Sequence, residues 1–568
     1  MKRRQFIKLS SSASVMALAP FQVQAAFKTF LPFLECPDVS DRKLVVIFLN
    51  GGNDGLNTLV PIDQYERYKE LRPSVYVPRD TEANGYMHLD RTLTLNQQMG
   101  LHPSASPLKG LYENNLLRII HNVGYPSPNK SHFKSTDLYS TGNDGKANPA
   151  NSLQSGWMGR FFEAAYPELI SGGMHPPGIQ LGTTAPSLGF KGEINSALAM
   201  NLKGQDIENF YNGTASGLNG LSGVAAPSMG SLDTDYVNNL KFVNDIDLAS
   251  NLYAGTITSK YLEGERLEPA NVKYEQPEYK SLRFDDLTNQ LRTVARLIRG
   301  GLETKIYMVQ ISGFDTHANQ VEDGKAIIGR HQELLHDLSY AVDAFMHDIS
   351  QDSIHESVVG ITFSEFGRKA AQNGNDGTDH GQAAPMFAFG TPVEGGVSGS
   401  NPDLSIPSAE NNYQIEDLDY DYRQVFASLL QNFLGANDTA VDNAFLDYSS
   451  VPGTPQSFTN AKISELLKEE YDLSECSTFS NNNPSSIEKK WLLHPNPVKD
   501  IINFSTTIKN ASSVSYKVYN TTGKLLMSQT NTLEFGQLNL SLKHLTSGLY
   551  FFQIKVNGST EVHKVVKI

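Results

Sequence analysis

The sequence predicts an α/β body built on a mainly parallel sheet, followed by a small all-β sandwich at the C-terminal end. Three observations predict it. Four short, almost wholly apolar segments each run into a polar or glycine-rich loop, as strands do when helices cover both faces of a parallel sheet. Stretches with apolar residues at helical spacing lie near them. Beyond residue 490 a period of two takes over, broken by turn residues. The 568 residues exceed one ordinary domain, so at least two folded units are expected.

The first predicted strand, Lys43–Leu49 (KLVVIFL), ends at Asn50-Gly51-Gly52-Asn53-Asp54-Gly55. The second, Leu116–His121, leads through a proline-rich loop to Asn129-Lys130-Ser131-His132, where a helix over about 132–140 should stop at Thr141-Gly142. A further helix is capped by Asp285, carries Leu287, Leu291, Val294, Ala295 and Ile298 on one stripe, and stops at Gly300-Gly301. The third strand, Lys305–Ile311, ends at Ser312-Gly313-Phe314-Asp315-Thr316-His317. A long helix over about 328–349, with Leu334, Leu335, Leu338, Ala341, Val342 and Phe345 on one face, connects it to the fourth strand, Val358–Phe363. That strand ends at Ser364-Glu365-Phe366-Gly367-Arg368, and Gly377-Thr378-Asp379-His380-Gly381 follows. Residues 165–275 and 391–420, rich in Gly, Ser, Asn and Pro with weak periodicity, read as insertions.

The two ends carry different signals. Residues 1–25 have a basic start (Lys2, Arg3, Arg4, Lys8), an apolar run to Ala19 and small residues near Ala25, which is the pattern of an export signal. The Arg3-Arg4-Gln5-Phe6-Ile7-Lys8 run resembles a twin-arginine signal, implying the twin-arginine translocase; a Sec signal with an incidental arginine pair is the alternative. No later stretch supplies about 18 consecutive apolar residues, so no membrane span is expected in the mature chain. At the other end, a polar linker at 481–490 precedes segments 501–508, 514–519, 525–529, 538–542, 550–556 and 562–568, with turn chemistry at Thr522-Gly523 and Asn557-Gly558. His494-Pro495-Asn496-Pro497, Tyr516-Lys517-Val518-Tyr519-Asn520, Leu545-Thr546-Ser547-Gly548-Leu549-Tyr550 and the final Lys564–Lys567 resemble the C-terminal sorting domain of the type IX secretion system. That resemblance implies passage through the type IX secretion machinery, with the protein crossing the periplasm to the cell surface or beyond. A carbohydrate-binding sandwich is the other reading, disfavoured because no row of exposed aromatics stands out.

The net charge of −14 divides into +4 over residues 1–25, +5 over 491–568 and hence −23 over 26–490. A body so acidic is a poor sequence-independent binder of nucleic acid, which needs clustered Lys and Arg. Two cysteines, Cys36 and Cys476, exclude a disulfide-dense scaffold and a cysteine-rich metal site. They can either bridge the two ends of the body (26–480) or remain as two thiols.

In open α/β sheets, ligands bind beyond the carboxyl ends of the strands. All four polar motifs lie there, so Asp54, Ser131, His132, Asp315, His317, Glu365, Asp379 and His380 are expected to converge. Asp315 with His317 and Asp379 with His380 are two carboxylate–imidazole pairs, and Asp54 and Glu365 add oxygen donors. Such a set suits a divalent ion, zinc where imidazole dominates, or magnesium, calcium or manganese where oxygen does. Each of these residues taken alone reads equally well as a turn-capping or hydrogen-bonding group. Ser131 before a helix is an N-cap, an anion-binding position or a nucleophile. Lys130, Arg160 and Arg368 can neutralise an oxyanion or serve as ordinary ion-pair residues. The first loop lacks the phosphate-loop Lys-Ser/Thr pair and the dinucleotide-binding spacing.

The runs NGGNDGLNTLVP, SHF (131–133), GWMGR (156–160), GFDTHANQ (313–320), SEFGR (364–368) and GTDHG (377–381) resemble the domain of unknown function 1501 family, over about residues 40–450. That family is grouped with the alkaline phosphatase/sulfatase superfamily. The resemblance implies an alkaline phosphatase-like α/β/α sandwich, one or two divalent metals and a nucleophile at a helix start, here Ser131. In sulfatases that helix ends in Leu-Thr-Gly, and here Leu138-Tyr139-Ser140-Thr141-Gly142 follows at similar spacing. The superfamily's late Asp-His pair is replaced by Ser364-Glu365, its first-strand aspartate by Asn50 unless Asp54 takes the part, and no Cys-x-Pro-x-Arg sulfatase signature is present. The expectation is an exported metal-dependent hydrolase of a phosphate or sulfate ester, acting on a small molecule or polymer. Ser131, His132 and Arg368 would be catalytic, and Asp54, Asp315, His317, Glu365, Asp379 and His380 would hold metal. The alternative is a non-catalytic surface or secreted protein that keeps the fold, with or without a structural metal.

Overall fold

The structure is a computed structural model. It describes residues 39–145, 155–170, 174–182, 187–194, 199–202, 253–283, 286–445, 458 and 462–474 of the body, and 491–494, 498–506, 513–520, 525–532, 537–546, 548–556 and 559–567 of the C-terminal region. The export signal, the 481–490 linker, Asp285, both cysteines and the turns at Thr522-Gly523 and Asn557-Gly558 lie outside the described residues. Two compact units divide the chain, Met1–Phe479 and Ser480–Ile568.

In chain order the strands of the first unit are β1 (Lys43–Asn50), β2 (Leu59–Pro61), β3 (Met87–His88), β4 (Met99–Leu101), β5 (Leu117–Gly124), β6 (Gly178–Leu181), β7 (Ala199–Leu202), β8 (Ile306–Ser312), β9 (Val358–Phe363), β10 (Arg368–Gln372), β11 (Thr378–His380), β12 (Ala384–Phe389), β13 (Gly396–Ser398) and β14 (Tyr420–Asp421). Nine of them form the central sheet, in the order β13-β5-β12-β9-β1-β8-β6-β7, with β14 also on β5. β1 runs parallel to β8 and β9, and β6 to β7 and β8. β12 alone is antiparallel, to both β5 and β9, so β5 points the same way as the others. The predicted strands stand within one or two residues of their expected starts, and β5 runs three residues further.

Helices cover both faces, which is why β1 is apolar from Leu44 to Leu49. Val45, Ile47 and Leu49 pack on one side with α1 (Ser106–Glu113), α4 (Leu287–Arg299) and α5 (Arg330–Ile349). Leu44, Val46 and Phe48 pack on the other with α2 (His132–Thr141), α3 (Trp157–Ala165), α6 (Tyr422–Ser428) and α7 (Asp438–Ala444). Within the described residues the body is therefore an α/β/α sandwich. The cap of α4 is Asp286, whose side chain accepts from the Asn289 N–H, one residue later than expected. The stretch 165–275, read as irregular, contributes β6, β7 and a helix over 253–266 whose Tyr253, Ala254 and Ile257 are buried.

The second unit has β15 (Trp491–His494), β16 (Ile501–Thr506) and β19 (Gln537–Ser541) in one antiparallel sheet. The other sheet orders β18 (Leu525–Thr532), β17 (Ser513–Asn520), β20 (Gly548–Val556) and β21 (Ser559–Lys567), also antiparallel. Ile502 and Phe504 from the first sheet meet Tyr516, Val518, Phe552 and Val565 from the second in one core, a sandwich by definition. Among the described residues no helix is long and apolar enough to cross a membrane.

Candidate functional site

Because the strands are parallel, the loops after β1, β5, β8 and β9 meet at one edge of the sheet, joined there by the β10–β11 hairpin. Gly51 has φ +124° and a Cβ there would stand 2.2 Å from the Asp315 amide nitrogen, so only glycine lets the β1 and β8 loops touch. The Gly313 and Phe314 N–H groups donate to the Asn50 carbonyl across that contact, at 3.1 and 3.0 Å.

Three imidazoles gather around Asp315. His132, the first residue of α2, has Nδ1 2.7 Å from Glu365 Oε1, and its Nε2 lies 3.4 Å from Asp315 Oδ2. His380 donates from Nδ1 to the Lys130 carbonyl at 2.7 Å, and its Nε2 is 3.2 Å from Asp315 Oδ1. His317 donates from Nδ1 to Asp379 Oδ1 at 3.2 Å, and its Nε2 is 3.3 Å from Asp315 Oδ1. The His317 and His380 Nε2 atoms are 2.8 Å apart. Each Nδ1 thus faces an oxygen acceptor, which assigns the proton to that nitrogen and leaves a lone pair on each Nε2. Two imidazole lone pairs at that distance repel unless a proton or cation lies between them. His132 Nε2 is moreover buried without a hydrogen-bond partner.

These are the features of a cation site whose imidazoles are oriented from behind by carboxylate or carbonyl oxygens. Donor atoms of His132, Asp315 and His380 all fall within 4.8 Å of one another. The residues present fit a divalent metal, with His132 as a ligand that sequence reasoning placed instead among the catalytic groups. The signal for it in the sequence was its place beside Ser131 in the loop beyond the second strand, and not its partner Glu365, which is 233 positions away.

Glu365 stands behind His132 rather than in the open cup. It is fully buried and accepts from the Gly51 N–H at 2.9 and 3.1 Å. Hydrogen bonding to Glu365 raises the His132 pKa above the ordinary imidazole value. Burial pushes the Asp315 carboxyl up, but Arg368 and His380 outweigh it and hold it at about 2. Asp379 is likewise held at about 2, burial being outweighed by Asn373 and Lys369. Burial lowers the His380 pKa.

Three expected participants lie elsewhere. Asp54 points into the protein, with side-chain exposure of 0%, paired to Arg72 Nη1 at 2.6 Å and accepting from Gln320 Nε2 at 2.5 Å. Arg368 is buried and clasps the loops together through the Gly51, Gly52, Phe314 and Thr378 carbonyls and Asp315 Oδ1. With its donors so occupied, it positions Asp315 instead of reaching into the cup. Arg160 donates to the Ser155, Thr141, Asn443 and Ala444 carbonyls, far in role from an oxyanion clamp. Ser131 is exposed at the N-cap of α2, yet its hydroxyl caps nothing. The capping reading therefore fails for it, and its neighbour Lys130 is exposed as well.

Comparison with known proteins adds the following. Residues 264–429 match the family model "Protein of unknown function (DUF1501)", which excludes the NGGNDG, SHF and GWMGR runs. Residues 492–568 match "Secretion system C-terminal sorting domain". No curated protein matches the chain. Among solved structures, a protein of the alkaline phosphatase superfamily from Vibrio parahaemolyticus is similar at 10% identity and TM-score 0.31, over 88% of this chain and 82% of that one. A Bacteroides thetaiotaomicron structure, described under metabolism of multiple glycosaminoglycans, is similar at 9% identity and TM-score 0.28, over 87% and 92%. Dimeric latent PorU from Porphyromonas gingivalis is similar at 20% identity and TM-score 0.12 over 14% of this chain and only 9% of that one. A C-terminal sorting domain indicates export, to the cell surface or into the medium. The chain thus carries a DUF1501 segment within its α/β body and ends in a secretion-system sorting domain.

Proposed function

We propose that the body is an exported metal-dependent hydrolase of a phosphate or sulfate ester, with Ser131 as the nucleophile. The observation that carries the proposal is the convergence of the His132, His317 and His380 Nε2 atoms on Asp315, each imidazole held by an oxygen at its other nitrogen. A set with three nitrogens and one oxygen favours zinc over magnesium or calcium. Bound there, such an ion would polarise an ester oxygen and lower the pKa of a nearby hydroxyl.

The chain's own groups supply the rest. Ser131 sits exposed and uncapped at the start of α2, leaving its Oγ available for attack. The first amides of that ten-residue helix have no intrahelical partner and favour an anion, with Lys130 beside them. Glu365 and Asp379 fix the ring orientations, and Arg368 holds Asp315. Export through the twin-arginine translocase, then across the outer membrane by the type IX machinery, fits the two ends of the chain.

One observation favours a non-catalytic protein with a structural metal: both arginines expected to hold the transferred group are engaged elsewhere. The test uses the purified full chain. Elemental analysis should find stoichiometric divalent metal, reduced in His132→Ala and His380→Ala. Aryl phosphates and sulfates, assayed across a panel of divalent ions, should be turned over by the parent and not by Ser131→Ala with its metal retained. Turnover unaffected by Ser131→Ala overturns the nucleophile, and metal without turnover leaves the non-catalytic reading.

A further inference from the structure

Two residues before Asp315, at the end of β8, Gly313 has φ +113°, and a Cβ there would stand 3.0 Å from Arg283 Nη2 and 3.3 Å from Arg330 Nη2. Two guanidinium groups thus converge on one point at the sheet edge that carries the cup. Like charges brought together in this way repel, and among the described residues little offsets that. Arg283 has Glu333 at 3.3 Å, in a pair whose two side chains are 20% and 39% exposed. Arg330 is exposed, and no described residue hydrogen-bonds to its side chain or pairs with it. Its location also runs against helix electrostatics. It is the first residue of the 20-residue α5, where the macrodipole favours acids over bases. Folding gives no account of this pair, and the missing Cβ at Gly313 is what lets both guanidinium groups come up to the backbone there.

We propose that Arg283 and Arg330 form an anion-binding subsite beside the cup, which takes a second acidic group of the substrate. Paired planar guanidinium groups recognise sulfate, phosphate or carboxylate through several charge-assisted hydrogen bonds. A body with net charge −23 over residues 26–490 repels polyanions in general, so their capture demands a local basic site. The favoured substrate class is an ester on a polyanionic scaffold rather than an isolated monoester. That the bound molecule is also the substrate rests on the hydrolase reading above, whereas the subsite itself does not.

The experiment compares the full chain with Arg283→Met/Arg330→Met and with Arg330→Glu. The second variant puts an acid where the helix dipole favours one, so it folds at least as well as the parent. Binding of dextran sulfate, with uncharged dextran as the control, should weaken about tenfold or more in both variants, at unchanged metal content and melting temperature. If the chain turns over esters, its preference for a doubly acidic aryl ester over a singly acidic one should fall about tenfold as well. Dextran sulfate affinity unchanged in both variants overturns the subsite. Loss of affinity in a chain that hydrolyses no ester keeps the subsite and rejects the hydrolase reading.

Discussion

Arg72→Met is the most informative single change in the body, because it separates a structural ion pair from the proposed metal cup. Arg72 donates to Asp54 at 2.6 Å, to Asn57 Oδ1 at 2.7 Å and to the Ala370 and Lys369 carbonyls at 2.8 Å, and neither member of the pair has any side-chain exposure. Burial alone would push the Asp54 carboxyl up, but Arg72, His331 and Gln320 hold it below its ordinary value. Removing the guanidinium leaves a buried carboxylate with only Gln320 and His331 to compensate, a loss of roughly 3–5 kcal/mol. At about 2 cal/mol/K of unfolding entropy per residue, a body of roughly 450 residues loses about 1 °C per kcal/mol, so the melting temperature should fall by about 3–5 °C. Asp54→Leu combined with Arg72→Met should cost at least ~2 kcal/mol less than the sum of the single changes, since the double variant buries no unpaired charge. Metal content should stay at the parent level in all three variants. The assay is thermal and urea unfolding with elemental analysis on the same samples. A drop below 1 °C for Arg72→Met, or loss of metal in Asp54→Leu, would refute the assignment of Asp54 to the fold.

Two further outcomes follow from the geometry. Gly51→Ala should cost about 3 kcal/mol through a strained φ and a clash with the Asp315 backbone, and should lower metal content, whereas Gly374→Ala, with open space around it, should do neither. Burial depresses the His121 pKa to about 4 and the His102 pKa to about 3, so both are neutral in the fold and take up protons on unfolding below about pH 6.5. Their stabilisation is complete above that pH and is lost as pH falls towards 4, by up to ~1.4 kcal/mol per pH unit for each; urea midpoints at pH 7 and 5 should diverge less in His121→Leu.

The strands were legible because β1, β5, β8 and β9 are buried on both faces, and a sheet of that kind has one edge where their loops must meet. That single topological fact was enough to bring Asp315, His317, Glu365, Asp379 and His380 together without any local pattern linking them. Strand direction was not legible in the same way: Ala384–Phe389 is as apolar as its neighbours, and burial does not distinguish a parallel strand from an antiparallel one. Nor was the choice between adjacent aspartates at the start of α4, where a cap depends on one residue's backbone angles.

The charged residues divide by a rule that only the packed structure supplies. Asp54, Arg160 and Arg368 looked like site residues because they lie in the same set of motifs that carries the family resemblance as the histidine-bearing runs do, yet each has buried carbonyls or a buried counter-charge as its partners. An arginine with several donors at a loop junction satisfies carbonyls that no helix or strand can reach, which is why Arg368 meets four of them. The acid and imidazole groups that stay open to the cup are those whose other face is already held: His132 by Glu365, His317 by Asp379, His380 by the Lys130 carbonyl. The motifs therefore mix two kinds of residue, one that builds the rim and one that faces a ligand across it. Ser131, exposed with its hydroxyl uncommitted, and the Arg283–Arg330 pair, charged with little to balance it, belong with the second kind, and it is at those positions that substitution should alter function before it alters the fold.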